Sequence, residues 1–475
     1  MLFLYFLIAS AIFAIAVFFI RSRMLNVSIG FIYGISHILL SIYAYQHINS
    51  VDSVYFKFDS LSVLLNGLLS LILIPVLFHT RYYLNRHVPD RKMKGRFLSL
   101  MIVLSTAISG VYFSDNFLII WVCLEITTIA VTFLIFHERY TDALEAAWKY
   151  LFISSFGITI AFLGILFLSV QSSSGLEASL SFSYLQSVAT HLDPVFLKIA
   201  FLLLVTGYSI KLNLFPLYAA TIDAKTAAPF PVNAIASTAL INGGFVAVIR
   251  IYSVITKTGA ASWAQHVLMI VGVLSLLIVS FQLFRVKRFK RMLAFSSMEH
   301  MALIAIALSL GKAGYYAALL HLVLHTLAKT GMFLNFGEIR ACFQSGWIKD
   351  TGNYMKINGF SALIYLAGLL TITAIPPSGM FMSEFLLFKA LLYTGNYFLF
   401  AAILILLTII IYVLFKLSMQ LLYGQAPDSF NPEKAIINRY EPVSQLVLFG
   451  LVFYLAYFPP ALFTGLMNAA LQILN

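Results

Sequence analysis

Apolar residues run along this chain in blocks of about 20, separated by short polar stretches. A helical block of that length matches the ~30 Å hydrocarbon thickness of a bilayer. Setting the apolar runs against the breakers between them predicts 14 spans. They lie near residues 2–20, 27–46, 59–79, 97–113, 116–136, 149–170, 195–217, 229–254, 264–284, 292–310, 314–337, 357–393, 397–423 and 443–469. Two of them carry proline inside the apolar run: the seventh at "NLFPLY" (Pro216) and the twelfth at "IPPSG" (Pro376, Pro377). Proline lacks the N–H and its ring clashes with the preceding turn, so both helices are predicted to break.

The two breaks are five spans apart, and an offset of five reverses direction across a membrane. Spans 4–8 and 9–13 therefore read as two inverted five-helix repeats, each with one broken helix. Secondary transporters with discontinuous helices build their ion sites near the midplane in this way. The competing reading is that the prolines only kink their spans. The predicted fold is an all-α polytopic membrane protein with a single transmembrane domain over 1–475. Its N-terminal spans fall in 1–96, the first repeat in 97–254, the second in 264–423 and the C-terminal span in 443–469.

Composition agrees. The chain is 61% hydrophobic and 10% charged, with a mean hydropathy of +0.94, more apolar surface than a soluble chain can bury. The first segment, "LFLYFLIASAIFAIAVFFI", lacks a basic start and a small-residue cleavage site, so a retained span is expected rather than a signal peptide. Two cysteines, Cys123 and Cys342, cannot ligate an iron–sulfur cluster alone and form no disulfide framework. The net charge of +12 is a topology signal rather than a nucleic-acid footprint. Nineteen Lys and Arg fall in the odd-numbered loops and five in the even-numbered loops and their flanks. The positive-inside rule then places the odd loops in the cytoplasm and both termini on the outer side.

Ionisable residues inside spans are costly and are functional candidates for that reason. Glu125 lies at the centre of span five in "WVCLEITTIA", and Lys211 lies one turn before Pro216 in "GYSIKLNLFP". A carboxylate that moves toward or away from a buried lysine changes how firmly the lysine holds its proton. His321, His325 and Lys329 follow one another at intervals of four and share a helix face. That row reads as a proton wire. Zinc is a second reading, but no acidic or thiol ligand sits nearby in sequence. A bis-His haem is a third, and it needs a histidine on a facing helix. His300, beside Glu299 in "SSMEHMALI", starts span ten.

Glu384 follows Pro377 by seven residues, which places it at the rim of the second break. It is expected to load and release protons toward the outer face, as the counterpart of Lys211. An ion pair with Lys389 is the structural alternative, though the i, i+5 spacing suits it poorly. Lys389 and Lys416 lie near helix ends, where snorkelling accounts for them as well as function does. Lys149 follows Glu145 by four residues, as in a plain helix ion pair.

The stretches "WVCLEITT", "KLNLFPLYAATIDAKTAAPFPVNA", "KRMLAFSSMEHMALIAIAL", "LLHLVLHTLAKTGMFL" and "PPSGMFMSEFL" resemble the antiporter-like membrane subunits. That family is shared by respiratory complex I, group-4 membrane-bound hydrogenases and multisubunit cation/proton antiporters. The resemblance covers roughly residues 95–425, and within the family it looks closest to the hydrogenase-4 F-type proteins. It implies that Glu125 and Lys211 match the family's Glu/Lys pair, that His321, His325 and Lys329 match its central axis, and that Glu384 matches its distal charged residue. One position departs: Asn242 stands where the family often has Lys or His in span eight. Asn cannot take up a proton, so a relay would have to pass by water or by Lys225.

The resemblance implies a proton- or Na+-translocating subunit of a redox-driven complex in the cell membrane. Its partners would be other membrane subunits and, through them, peripheral redox subunits. The chain itself would hold no metal or cofactor and perform no redox catalysis. Three alternatives stand beside this: a cation/proton antiporter module, a membrane partner of a zinc-dependent inorganic-carbon uptake protein, and a b-type cytochrome subunit.

Overall fold

The computed structural model describes residues 1–474 except 89, 138–139, 171–179, 427–429 and 431–434. Arg139 and Lys434, two of the charges behind the predicted orientation, lie outside the described residues, as does most of the polar loop that starts at Gln171. Helices dominate, and the apolar blocks become long helices as expected. Among the described residues the sheet content is one short hairpin, Val51–Ser53 with Phe56–Lys57.

Twelve helices among the described residues are long and apolar enough to cross a membrane, or thirteen when the bent pair Glu441–Tyr457 and Ala461–Leu474 counts as one span. The expected total of 14 also counts the broken twelfth segment. Its halves, Gly359–Ile372 and Gly379–Tyr393, have 14 and 15 residues, too few for either to span alone. Several helix starts carry side-chain caps, which satisfy first-turn N–H groups that lipid cannot. Asp59 accepts from the Ser62 amide, Asn116 from Leu118, Asp193 from Val195 and Ser378 from Phe381.

The chain forms two compact units. The first comprises residues 1–268 and 464–475. Its tightest pairing joins helix Thr141–Val170 to helix Pro194–Leu212 through small residues. A Cβ on Gly207 would lie 2.5 Å from the Ala161 amide nitrogen and the Gly157 carbonyl. Small residues let two backbones approach where no hydrophobic effect drives helices together.

Arg250, counted from sequence among the outer flanks, is instead buried. It pairs with Asp59 at 2.9 Å and donates to the Tyr112 carbonyl. A second buried polar group holds the N-terminal helices together. His37 contacts Ser70 at 2.6 Å and Ser109 at 2.8 Å, and Ser109 donates to Asn66.

The second unit comprises residues 269–463. Helix Lys312–Phe343 lies at its centre, with almost every side chain buried. The Phe449 ring fills the space left by two glycines, since a Cβ on Gly331 or Gly368 would come within 2.8 Å or 2.5 Å of it. Deeper polar groups satisfy each other: Ser361 donates to Glu338 at 2.8 Å, and Asn335 donates to Gln445 at 2.7 Å.

Both predicted breaks are present, and they share a local design. Helix Pro194–Leu212 ends at Asn213, with φ +58°. Helix Gly359–Ile372 is followed by Ala374, with φ +49°. Three residues after each positive-φ residue comes a proline, Pro216 or Pro377, in a cis peptide. The Leu214 amide donates to the Ser209 carbonyl, and the Ile375 amide to the Leu370 carbonyl, the same five-residue loop in both. A further interruption was not foreseen from sequence: the eighth span divides at Ser237 and Thr238 into Phe230–Ala236 and Ala239–Ile255.

The Gly207 contact gives a stability test. Gly207→Ala is expected to lower stability by about 1–3 kcal/mol through overpacking. Gly207→Leu is expected to prevent accumulation of folded protein. Thermal denaturation of the detergent-solubilised chain checks both, and an unchanged midpoint for Gly207→Leu would refute the close packing.

Candidate functional site

Each unit holds a cluster of ionisable residues beside its broken helix. In the first unit, Lys211 occupies the last turn of helix Pro194–Leu212, just before the break, and is 2% exposed. Glu125 is half-buried on helix Phe117–Phe136. The two are joined through a third residue. Lys211 Nζ donates to Thr128 Oγ1 at 2.7 Å. The single Thr128 hydrogen faces two acceptors at 3.2 Å, Glu125 Oε2 and the Leu124 carbonyl. Ser155 donates to Glu125 Oε1 at 2.8 Å. Tyr150 presents its hydroxyl 3.5 Å from the ammonium and its ring face 5.6 Å away, a cation–π distance.

Lys225 is buried in the last turn of helix Tyr218–Ala227. Lys211 and Lys225 line the same small cavity, which has room for about one water molecule. Pro216 lies in the break between those two helices. Asn242 is buried on helix Ala239–Ile255 and hydrogen-bonds to Tyr112.

In the second unit, the structure buries His321, His325 and Lys329 on one helix, as their spacing predicts. It brings two more residues to them. His300, from helix Phe289–Ser309, places Nδ1 3.1 Å from His321 Nε2 and its ring 5.3 Å from that of His325. Glu384 is 5% exposed in the second turn of helix Gly379–Tyr393. One ligand-capable atom from each of His300, His321 and Glu384 lies within 4.8 Å of the others. Lys329 Nζ is 3.5 Å from the Leu293 carbonyl and interacts electrostatically with Glu299. Pro376 and Pro377 form the break just before this cluster.

A chain of hydrogen bonds fixes the ring protons. Ser383 Oγ donates to the Met380 carbonyl at 2.8 Å. Its hydrogen is therefore committed, and it must accept at 2.9 Å from His321 Nδ1–H. His321 Nε2 is then a bare lone pair, and neutral His300 donates to it from Nδ1. The His300 ring also interacts with the Ile372 backbone.

Three candidates stay outside both clusters. Lys149 pairs with Glu145 at 2.5 Å on an exposed face. Lys389 and Lys416 are exposed on their helices, and Lys389 makes no ion pair with the buried Glu384. Sequence reasoning missed Thr128 and Ser383 as members. The available signal was position: Thr128 lies one turn after Glu125, and Ser383 immediately precedes Glu384.

The arrangement can hold and pass protons, since each cluster alternates charged or imidazole groups with hydroxyls at hydrogen-bond distance. Known proteins share both fold and sequence. A chain in the archaeal membrane-bound sulfane sulfur reductase superimposes with a TM-score of 0.85 at 21% identity, covering 100% of this chain and 97% of that one. A chain of the Mrp complex from Dietzia sp. DQ12-45-1b gives the same TM-score at 15% identity. A hydrogenase-4 component F homolog from Methylacidiphilum infernorum is 31% identical over 58% of this chain and 59% of its own length. The N-type subunit of NADH-quinone oxidoreductase from Halorhodospira halophila is 28% identical over 72% of this chain and 70% of its own. The A-type subunit of a Na+/H+ antiporter from Alkalihalophilus pseudofirmus is 27% identical, with this chain spanning 54% of its length. The family model described as "NADH:quinone oxidoreductase/Mrp antiporter, TM" matches residues 114–426, about two thirds of the chain, and the chain belongs to that family.

Proposed function

We propose that this chain is a proton- or Na+-translocating membrane subunit of a redox-driven complex of the membrane-bound hydrogenase or NADH-quinone oxidoreductase type. The observation that carries the reading is the Lys211–Thr128–Glu125 bridge. A buried lysine is linked to a carboxylate through one hydroxyl whose hydrogen has two acceptors. Turning that hydroxyl toward Leu124 or toward Glu125 weakens or strengthens the link, and with it the hold of Lys211 on its proton.

The hydrogenase-4 and NADH-quinone relatives support the redox setting. Partners would include other membrane subunits and peripheral redox subunits that hold the cofactors. The second reading, a cation/proton antiporter module, is supported by the likeness to the Mrp chain and to the Na+/H+ antiporter protein. Purifying the tagged chain from its native membrane separates the two, since iron–sulfur or nickel proteins would accompany it in the first case and small antiporter subunits in the second. The shared design of the two helix breaks supports two repeats with equivalent roles, Lys211 serving the first and Glu384 the second. The chain would lie in the cell membrane with both termini outside, in keeping with its charge asymmetry.

Three measurements test this. In vesicles carrying the intact complex, Glu125→Gln and Lys211→Ala are expected to abolish ion translocation without loss of assembly. Thr128→Val is expected to lower it roughly tenfold or more, the scale of one lost charge-assisted hydrogen bond, while Thr128→Ser keeps most of it. A Thr128→Val rate equal to wild type would remove the bridge from the mechanism.

Glu384→Gln keeps the shape of the side chain but cannot ionise. It is expected to stop translocation, with Glu384→Asp retaining part, and pH-sensitive dye trapped in the vesicles reads both. Full activity in Glu384→Gln would leave the second cluster without a transport role.

For orientation, Cys123 and Cys342 are replaced and single cysteines placed at Lys92 and Lys257, both exposed in the structure. Membrane-impermeant thiol reagent applied to whole cells is expected to label position 257 and spare position 92. The opposite pattern would invert the topology.

A further inference from the structure

From the second cluster we infer that His300, His321 and Glu384 form a binding site for a divalent transition-metal cation of the Zn2+ class, and that the bound cation plugs the ion path. The inference rests on the translocation reading for the plug but not for the binding. From sequence, zinc was disfavoured because no acidic ligand lay near His321. The fold supplies one from a third helix, 63 residues along the chain.

The geometry fits a metal. Two nitrogens bound to tetrahedral zinc at about 2.05 Å stand about 3.3 Å apart. His300 Nδ1 and His321 Nε2 are 3.1 Å apart, close to that separation, and a modest turn of each ring makes the two lone pairs converge on a cation beside the N···N line. Glu384 supplies the third ligand within the same 4.8 Å span. Two histidines and one glutamate form a ligand set used by zinc with a fourth position left open. The outer support is also present, because Ser383 holds His321 with its Nε2 lone pair toward the site. Such supporting bonds orient metal-ligating histidines.

On binding, His300 gives up the proton on Nδ1 or moves it to Nε2. The bound cation occupies both lone pairs through which a proton would pass between the rings. Two further charges face the cluster: Glu299 interacts with Glu384 and favours a cation, while the Lys329 ammonium opposes it.

The test uses Co2+ as a spectroscopic probe on the detergent-solubilised complex, with Zn2+ as competitor. Wild-type complex is expected to show the visible bands of four-coordinate Co2+, displaced by Zn2+. A difference spectrum against His321→Ala isolates this chain's site from metals in partner subunits. His300→Ala and Glu384→Gln are expected to weaken binding at least tenfold. Ser383→Ala keeps all three ligands and is expected to weaken it about tenfold, which covers the case in which a ligand variant fails to fold. The His325→Gln variant is expected to bind as wild type. No four-coordinate band in wild type, or an unchanged band in both His300→Ala and Glu384→Gln, overturns the site. Micromolar Zn2+ is expected to stop translocation in wild type. Binding with undiminished translocation overturns the plug and leaves the site standing. Binding in a complex that never translocates ions would overturn the transport reading instead.

Discussion

Lipid offers no hydrogen bonds, so a helix can stop inside a membrane only where protein takes over each freed backbone group. Much of this structure answers that requirement. At the first break, the Leu214 amide closes back on the Ser209 carbonyl, the Leu217 amide reaches Ser209 Oγ at 3.3 Å, and Thr221 donates to the Ile210 carbonyl at 2.7 Å. At the second, Ile375 closes on Leu370, and Tyr457 donates to the Ser378 carbonyl at 3.2 Å. Polar groups gathered to satisfy a broken backbone also make a place where a charge costs less. Lys211 and Glu384 stand at the edges of these two places.

The placement of the other charges follows the same economy of solvation. Lys149, Lys389 and Lys416 keep their ammonium groups at the surface of the fold, where water or headgroups can reach them. Arg250 has no such outlet and is met by Asp59 and by the Tyr112 carbonyl. Asp59 serves two purposes there, since it also caps helix Ser60–His87. Removing either partner would leave an uncompensated buried charge, a loss of about 3–5 kcal/mol.

Much of the fold was legible because the bilayer imposes a length on apolar runs and proline marks where a run must fail. The break between Ser237 and Thr238 escaped notice since neither residue removes an N–H, and the apolar pattern continues across it. Within the site, Glu125 and Lys211 stood out because charge in a span is rare. His321, His325 and Lys329 stood out through their four-residue spacing. What sequence could not supply was contact between helices. His300 meets His321 across 21 residues and Ser383 meets it across 62. Arg250 looked like a loop charge because its partner lies 191 residues away. Hydroxyls such as Thr128 were hidden for another reason: serine and threonine are ordinary in membrane helices, where most bond to their own backbone.

The lock that Ser383 places on His321 has a kinetic side. A proton that crosses an imidazole enters at one nitrogen and leaves from the other, so the ring ends in the opposite tautomer. For His321 that tautomer leaves Nδ1 bare against a serine oxygen whose only hydrogen points to Met380. Two lone pairs would then face each other at 2.9 Å. Any passage through this ring must therefore be followed by a reset, in which the ring flips or Ser383 turns its hydroxyl and gives up its bond to the helix. Under the translocation reading, the arrangement would behave as a turnstile, admitting one proton and then pausing until a hydroxyl has rotated.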